Sequence, residues 1–203
     1  AENAGFCFGV NRAIEMTEGA LKEIDGNIFS IGPLVHNKQV VNKYEKMGLN
    51  VINEIDNIFN SNVIIRSHGI TKNIYEILEN NNNNIIDCTC LHVKAIHKKV
   101  EAYEKKGYTI IIVGDKDHPE VIGINGWCNN NAIIINSTEE AEQLPKKRDE
   151  LIVSPTTNRA EKFNNILSII KEKVDNLEVY NSICNATNLR QGSCEKVAKM
   201  VDA

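Results

Sequence analysis

The segment TIIIVGDKDHPEVIG, residues 109–123, decides the fold. A five-residue β-branched run, Thr109 to Val113, reads as a buried strand. A short polar loop follows, and His118-Pro119-Glu120 then starts a helix. The first amides of a helix have no intrahelical partner and are suited to face an anion. The same rhythm of apolar run, loop and amphipathic helix repeats in both directions. It predicts strands over 28–31, 50–52, 63–66, 85–87, 109–113, 132–135, 151–154 and 178–180. Helices are expected over 10–24, 36–46, 71–79 and 93–106, with further starts near Glu120, Thr138, Asn158 and Leu189. Lys46-Met47-Gly48 and Lys105-Lys106-Gly107 place cations and then Gly at helix ends, and Ser137-Thr138-Glu139-Glu140 reads as a helix start. Alternating strands and helices imply βαβ units and largely parallel sheets.

The 203 residues suffice for one sizeable domain or two small α/β lobes. Apolar residues make up 42% and charged residues 25%, as in an ordinary globular protein. A net charge of −4 with dispersed Lys and Arg argues against a nucleic-acid surface. Lys146-Lys147-Arg148, the only dense basic group, reads as a solvated loop. No run approaches the roughly 20 apolar residues needed to span a bilayer, and no leader peptide is visible before Asn11. The expectation is a cytoplasmic protein without membrane or nucleic-acid partners. The run Asn80 to Asn84 reads as a loop that separates elements.

Six cysteines stand out: Cys7, Cys88, Cys90, Cys128, Cys184 and Cys194. In a reducing compartment, widely spaced cysteines are metal ligands, catalytic thiols or small buried hydrophobes. Cys90 and Cys184 each follow a predicted strand and precede a helix, and Cys7 lies in a Gly-flanked loop before the first helix. His36, His68, His118 and the pair Thr156-Thr157 also follow predicted strands. In open α/β sheets, ligands bind at the carboxyl ends of the strands, so these loops point to one shared pocket. Cys88, Cys128 and Cys194 read as buried hydrophobes, with Cys88 the best suited of the three to an added ligand or oxidation role. His92 and His97 read as packed or exposed. Three thiolates suit zinc with an open fourth position or three irons of a [4Fe–4S] cluster. Spacing alone leaves both open. Imidazoles, hydroxyls and a helix N-terminus would suit a phosphate or diphosphate.

GFCFGVNRAI (5–14) followed by GPLVHN (32–37) resembles the opening of the LytB-type 4-hydroxy-3-methylbut-2-enyl diphosphate reductases. RSHG (66–69), DCTC (87–90), HPEVIG (118–123), ICNAT (183–187) and Arg190-Gln191 continue the resemblance in family order, over essentially the whole chain. It implies a trefoil-like arrangement of α/β lobes, mostly parallel, around a central [4Fe–4S] cluster ligated by Cys7, Cys90 and Cys184. It implies further that His36, His68 and His118 bind the diphosphate and that Glu120 donates a proton. Thr156 and Thr157 match the family's paired threonines. The implied reaction is reductive dehydroxylation to isopentenyl and dimethylallyl diphosphate, with electrons from a ferredoxin- or flavodoxin-type donor.

Leu91 stands where the family usually has Pro, Pro155 where it has Gln, and Cys88 where a small residue such as Ala is usual. Both ends read as cut. The expected lobes are 8–90, 91–181 and an incomplete third from 182–203 with 1–7. Two other readings remain: a non-catalytic metal- or phosphate-binding remnant of the scaffold, and a zinc hydrolase with Glu120 as base.

Overall fold

The computed structural model describes residues 4–200. They form two compact units, one of Phe6–Lys94 and one holding Ala95 onward together with residues 4 and 5. The first contains α1 (Phe8–Glu23), β1 (Ile28–Ile31), α2 (Lys38–Lys46), β2 (Leu49–Ile52), β3 (Asn62–Ile65), α3 (Lys72–Asn80) and β4 (Asn84–Asp87). Helix α4 (Leu91–Glu104) contains the boundary. The second unit continues with β5 (Thr109–Val113), α5 (Pro119–Gly126), β6 (Ile133–Ile135), α6 (Thr138–Gln143), β7 (Lys147–Val153), α7 (Ala160–Lys171), β8 (Val174–Val179) and α8 (Asn185–Ala198).

Each unit holds one four-stranded sheet, in the orders β2-β1-β3-β4 and β6-β5-β7-β8, and every pairing is parallel. The α/β expectation therefore holds, as two parallel sheets. Alternate residues of a strand face opposite sides, and both sides are covered, so the central strands carry apolar runs such as 63–65 and 110–113. Buried Ser30 of β1 is satisfied by donating to the Gly32 carbonyl at 2.9 Å. Ile110 and Ile112 of β5 join Ile96 and Val100 of α4 and Val121 and Ile124 of α5. Ile111 and Val113 face the other way, onto Phe163, Ile166 and Ile170 of α7. In the first unit, Ala13 and Ala20 of α1 and Tyr44 of α2 pack with Ile28 and Ile64. Val63 and Ile65 meet Leu78 of α3 on the opposite face.

The predicted strands and helices are all present, with shifted ends. The glycine stops after α2 and α4 have positive φ (Gly48 +104°, Gly107 +83°), a region that a side chain would strain. Ser137 caps α6 by accepting the Glu140 amide at 3.2 Å. Three readings need correction. Lys147 and Arg148 open β7, where Lys147 pairs with Val174, so the basic group is not wholly a loop. Strand β8 begins at Val174, because its polar first turns pair along β7 despite lacking an apolar pattern. Helix α8 starts at Asn185, directly after Cys184 as N-cap, four positions before the expected start. Helix α8 ends at Ala198, with Lys199 as its C-cap, and residues 201–203 lie outside the described residues.

The polyasparagine run does more than separate elements. Asn82 takes the left-handed turn conformation that Asn tolerates (φ 54°). The Asn83 side chain accepts the Ser61 amide at 3.0 Å and donates to the Ile58 and Leu78 carbonyls at 3.0 and 3.1 Å. Among the described residues, no helix is long and apolar enough to cross a membrane.

Ile112 is fully buried between β5 and its covering helices. Ile112→Ala should lower the unfolding free energy by about 3 kcal/mol through lost transfer energy and the cavity left behind. Urea unfolding followed by circular dichroism measures it. A loss below about 1 kcal/mol would mean that this core refills the gap.

Candidate functional site

The strand orders determine where ligands meet each sheet. In β2-β1-β3-β4 the chain leaves β1 toward β2 and returns on the other side as β3, so the loops after β1 and β3 diverge and open a crevice at their carboxyl ends. The loops after β5 and β7 do the same in the second unit.

His36 follows β1 and His68 follows β3, and their rings lie 4.4 Å apart, tilted by 53°. These strands end in register, Ile31 beside Ile65. Arg66 comes from the same loop as His68. Its Nη1 would lie 2.7 Å from a Cβ at Gly32, so the glycine makes room for the guanidinium. Burial lowers the Arg66 pKa from its ordinary value, and its Nε is buried without a hydrogen-bond acceptor. A desolvated guanidinium with an unsatisfied donor favours an anion nearby. Sequence reasoning passed over Arg66, although it stands two residues from His68.

In the second unit, His118 is the N-cap of α5, and its Nδ1 accepts the Glu120 amide at 3.1 Å. That bond leaves the neutral ring's proton on Nε2, where it can be donated. Glu120 is 1% exposed. One carboxyl oxygen, Oε1, accepts the Thr156 amide at 2.6 Å, and Oε2 lies 3.1 Å from the Thr156 hydroxyl. Burial pushes the Glu120 carboxyl up to about 7, against the opposing effect of the two Thr156 contacts. Thr156 is buried, whereas Thr157 is exposed. The Pro155 ring rests where a Cβ at Gly114 would meet it at 3.1 Å, and its missing N–H leaves the Thr156 amide to Glu120.

The cysteines sort clearly. Cys7 and Cys184 are N-caps of α1 and α8, and neither thiol caps its own helix. Cys90 immediately precedes α4 and accepts the Lys94 amide on its carbonyl at 2.9 Å. All three are half-buried, and none of the six cysteines forms a disulfide. The Cys184 amide donates to the Thr156 carbonyl at 3.0 Å, and the Thr187 hydroxyl donates to the same carbonyl at 3.0 Å. Ser154 and Ser182 exchange two further bonds beside it, one of them 2.9 Å long. Cys88 and Cys128 are fully buried, and burial pushes both thiols up to about 11. They are core residues, as expected. Cys194 is exposed on α8, which corrects its reading as a buried hydrophobe. His92 is exposed, and His97 is buried, stacked on Trp127 at 5.3 Å.

The predicted site residues therefore gather into two sets, one in each unit. Cys7, Cys90, His36 and His68 belong to Phe6–Lys94, and His118, Glu120, Thr156, Thr157 and Cys184 to the second unit. Among the described residues, no group of three His, Cys, Asp or Glu is gathered to hold a metal ion by itself.

A sequence profile of the family described as LytB protein matches residues 1–203. The 4-hydroxy-3-methylbut-2-enyl diphosphate reductase of Clostridioides difficile (strain 630) is 46% identical over 205 residues, covering 100% of this chain and 74% of that protein. The reductase of the same name from Caldanaerobacter subterraneus subsp. tengcongensis is 48% identical over 206 residues, covering 100% of this chain and 72% of its own. Among solved structures, (E)-4-hydroxy-3-methyl-but-2-enyl diphosphate reductase, the terminal enzyme of the non-mevalonate pathway, superposes with a TM-score of 0.81 at 41% identity. It is covered over 73% of its length, and this chain over 100%. The E-1-hydroxy-2-methyl-but-2-enyl-4-diphosphate reductase from Plasmodium falciparum superposes with a TM-score of 0.90 at 32% identity, with 97% of this chain and 63% of that one covered.

The raised Glu120 pKa makes stability depend on pH. The folded value of about 7 lies above the ordinary 4.5, so the fold favours the neutral carboxyl. That stability is fully present below about pH 4.5 and is lost as pH rises through about 7, on the order of 3 kcal/mol in total. Unfolding free energies of the wild type and Glu120→Gln, measured from pH 4 to 8, should diverge across that window. A constant difference would show that burial does not raise this proton affinity.

Proposed function

The chain belongs to the LytB family of 4-hydroxy-3-methylbut-2-enyl diphosphate reductases, and from that membership we propose how its residues divide the work. The reaction is the reductive dehydroxylation of an allylic diphosphate alcohol, in which two electrons and two protons replace the hydroxyl with hydrogen and release water. The observation that carries the residue-level reading is the buried Glu120 carboxyl, held by Thr156 in a loop that also binds the Cys184 amide.

Cys7, Cys90 and Cys184 are proposed as ligands of a [4Fe–4S] cluster. The residues fit such a group: three thiols stand at helix starts, those of Cys7 and Cys184 do not cap their helices, and none of the three is joined in a disulfide. Soft thiolates at positive helix ends suit an anionic iron–sulfur group. A cluster held by these three cysteines would supply Lewis acidity and electrons for loss of the allylic oxygen.

The protein's own groups do the rest. Near neutral pH, Glu120 holds a proton that it can deliver to the departing oxygen, and its raised proton affinity is matched to that task. The Thr156 amide and hydroxyl fix both carboxyl oxygens, so the acid is oriented before substrate arrives. His36 and His68 bind diphosphate oxygens from the first crevice, with the Arg66 charge beside them. His118 donates from Nε2, the tautomer its Nδ1 contact selects. Thr157, exposed next to Thr156, is a further substrate contact.

A ferredoxin- or flavodoxin-type protein supplies the electrons, and the setting is a reducing cytoplasm. The lobes at 8–90, 91–181 and 182–203 with 1–7 belong to the same proposal. The chain spans 72% to 74% of the length of the two bacterial relatives described above.

Anaerobic reconstitution of the full-length protein should give about four irons and four acid-labile sulfides per chain, with turnover of the allylic substrate under a low-potential reductant. Zinc in place of iron would overturn the reductase reading in favour of hydrolysis. A full cluster without turnover would favour a non-catalytic remnant. Glu120→Gln should keep the cluster and the substrate affinity while kcat falls at least a hundredfold. A wild-type kcat would remove Glu120 as proton donor.

A further inference from the structure

The turn that carries Cys90 is held by several hydrogen bonds to its backbone. The Cys88 amide donates to the Ile65 carbonyl at 3.0 Å, and the Cys90 amide to the Ser67 carbonyl at 3.0 Å. The Thr89 amide donates to Asp87 Oδ1 at 2.9 Å, and Asp87 is in turn paired with Lys94 at 2.5 Å. The Thr89 carbonyl accepts from Arg12 Nη1 at 3.2 Å across 77 residues of sequence. Arg12 lies one turn into α1, the helix capped by Cys7.

Position 9 closes the same gap from the other side. A Cβ built on Gly9 would stand 2.6 Å from Cys90 Sγ and 3.2 Å from Cys90 Cβ. Carbon and sulfur cannot approach so closely, and the sulfur cannot retreat without turning the whole side chain. The first turn of α1 therefore lies directly against Cys90, at a distance only glycine permits. This is a packing requirement and not a backbone one, because Gly9 lies within α1 and its φ is not positive.

We infer that Gly9 and Arg12 are positioning residues that set the spacing between Cys7 and Cys90. Gly9 lets the start of α1 close onto the Cys90 sulfur, and Arg12 fastens the helix to the carbonyl just before it. A metal group shared by two cysteines from distant segments requires those segments to be fixed relative to each other before it binds. Here a guanidinium and an absent side chain provide that constraint within a single unit. The inference rests on the proposed ligand roles of Cys7 and Cys90. It concerns which other residues prepare them.

The test uses full-length wild type, Gly9→Ala, Arg12→Gln and Arg12→Lys, each reconstituted anaerobically. The readouts are iron and sulfide content, the electron paramagnetic resonance spectrum of the reduced protein, and thermal melting of the metal-free form. Gly9→Ala should lose at least four-fifths of its iron, or retain it with shifted g values. Arg12→Gln should hold less than half the wild-type iron, and Arg12→Lys, which keeps a donor and a charge, should recover most of it. Metal-free melting temperatures of the two Arg12 variants should stay within about 3 °C of wild type. Wild-type iron content and g values in both Gly9→Ala and Arg12→Gln would overturn the inference. If Gly9→Ala does not fold, the Arg12 pair decides alone, and equal iron in Gln and Lys variants counts against the idea. Absence of an iron–sulfur cluster from the wild type would instead defeat the ligand assignment itself.

Discussion

The arrangement of the second unit depends on one backbone position. Thr156 offers its amide to Glu120 and its carbonyl to the Cys184 amide, at 2.6 and 3.0 Å. A single peptide segment thus ties the buried acid to the loop that presents a sulfur. Its side chain adds a contact to the same carboxyl. A carboxyl that is 1% exposed would be costly without such donors, and with them it has one orientation. Pro155 fits this scheme, since it sits just before the donating amide and requires nothing from it.

The two units repeat one plan. Each sheet has the same order, with its second-formed strand added on one side of the first and its third and fourth on the other. In each, the paired groups come from the segments that follow the first and third strands: His36 with His68, and Glu120 in the first turn of α5 with Thr156. In each, a cysteine follows the fourth strand and leads into a long helix, Cys90 before α4 and Cys184 before α8. Strand order places these groups at the carboxyl ends of their sheets, where α/β proteins bind ligands.

Much of this was legible in the residues. The Ile-rich runs and glycine stops mark the strands and helix ends, because both-face burial and positive φ leave direct compositional traces. The family motifs name the loops. Strand β8 was only partly visible, since its pairing with β7 is a tertiary fact that Val174 and Asp175 do not announce. The repeat of plan was hidden because parallel sheets repeat backbone topology without repeating side chains. Arg12, Arg66 and Gly9 could be read only as members of motifs. Their partners, the Thr89 carbonyl, the Gly32 cradle and the Cys90 sulfur, lie 77, 34 and 81 positions away in sequence. Cys194 failed for the opposite reason: burial statistics for cysteine say nothing about which face of α8 it occupies.

The stacked pair of His97 and Trp127 has a practical side. The chain has one tryptophan, and it lies wholly within the second unit, packed at 5.3 Å against an imidazole. Indole emission therefore reads the surroundings of this one stack, where α4 meets the end of α5. A melting curve followed at that wavelength tracks the stack, whereas a backbone signal averages over every helix and strand.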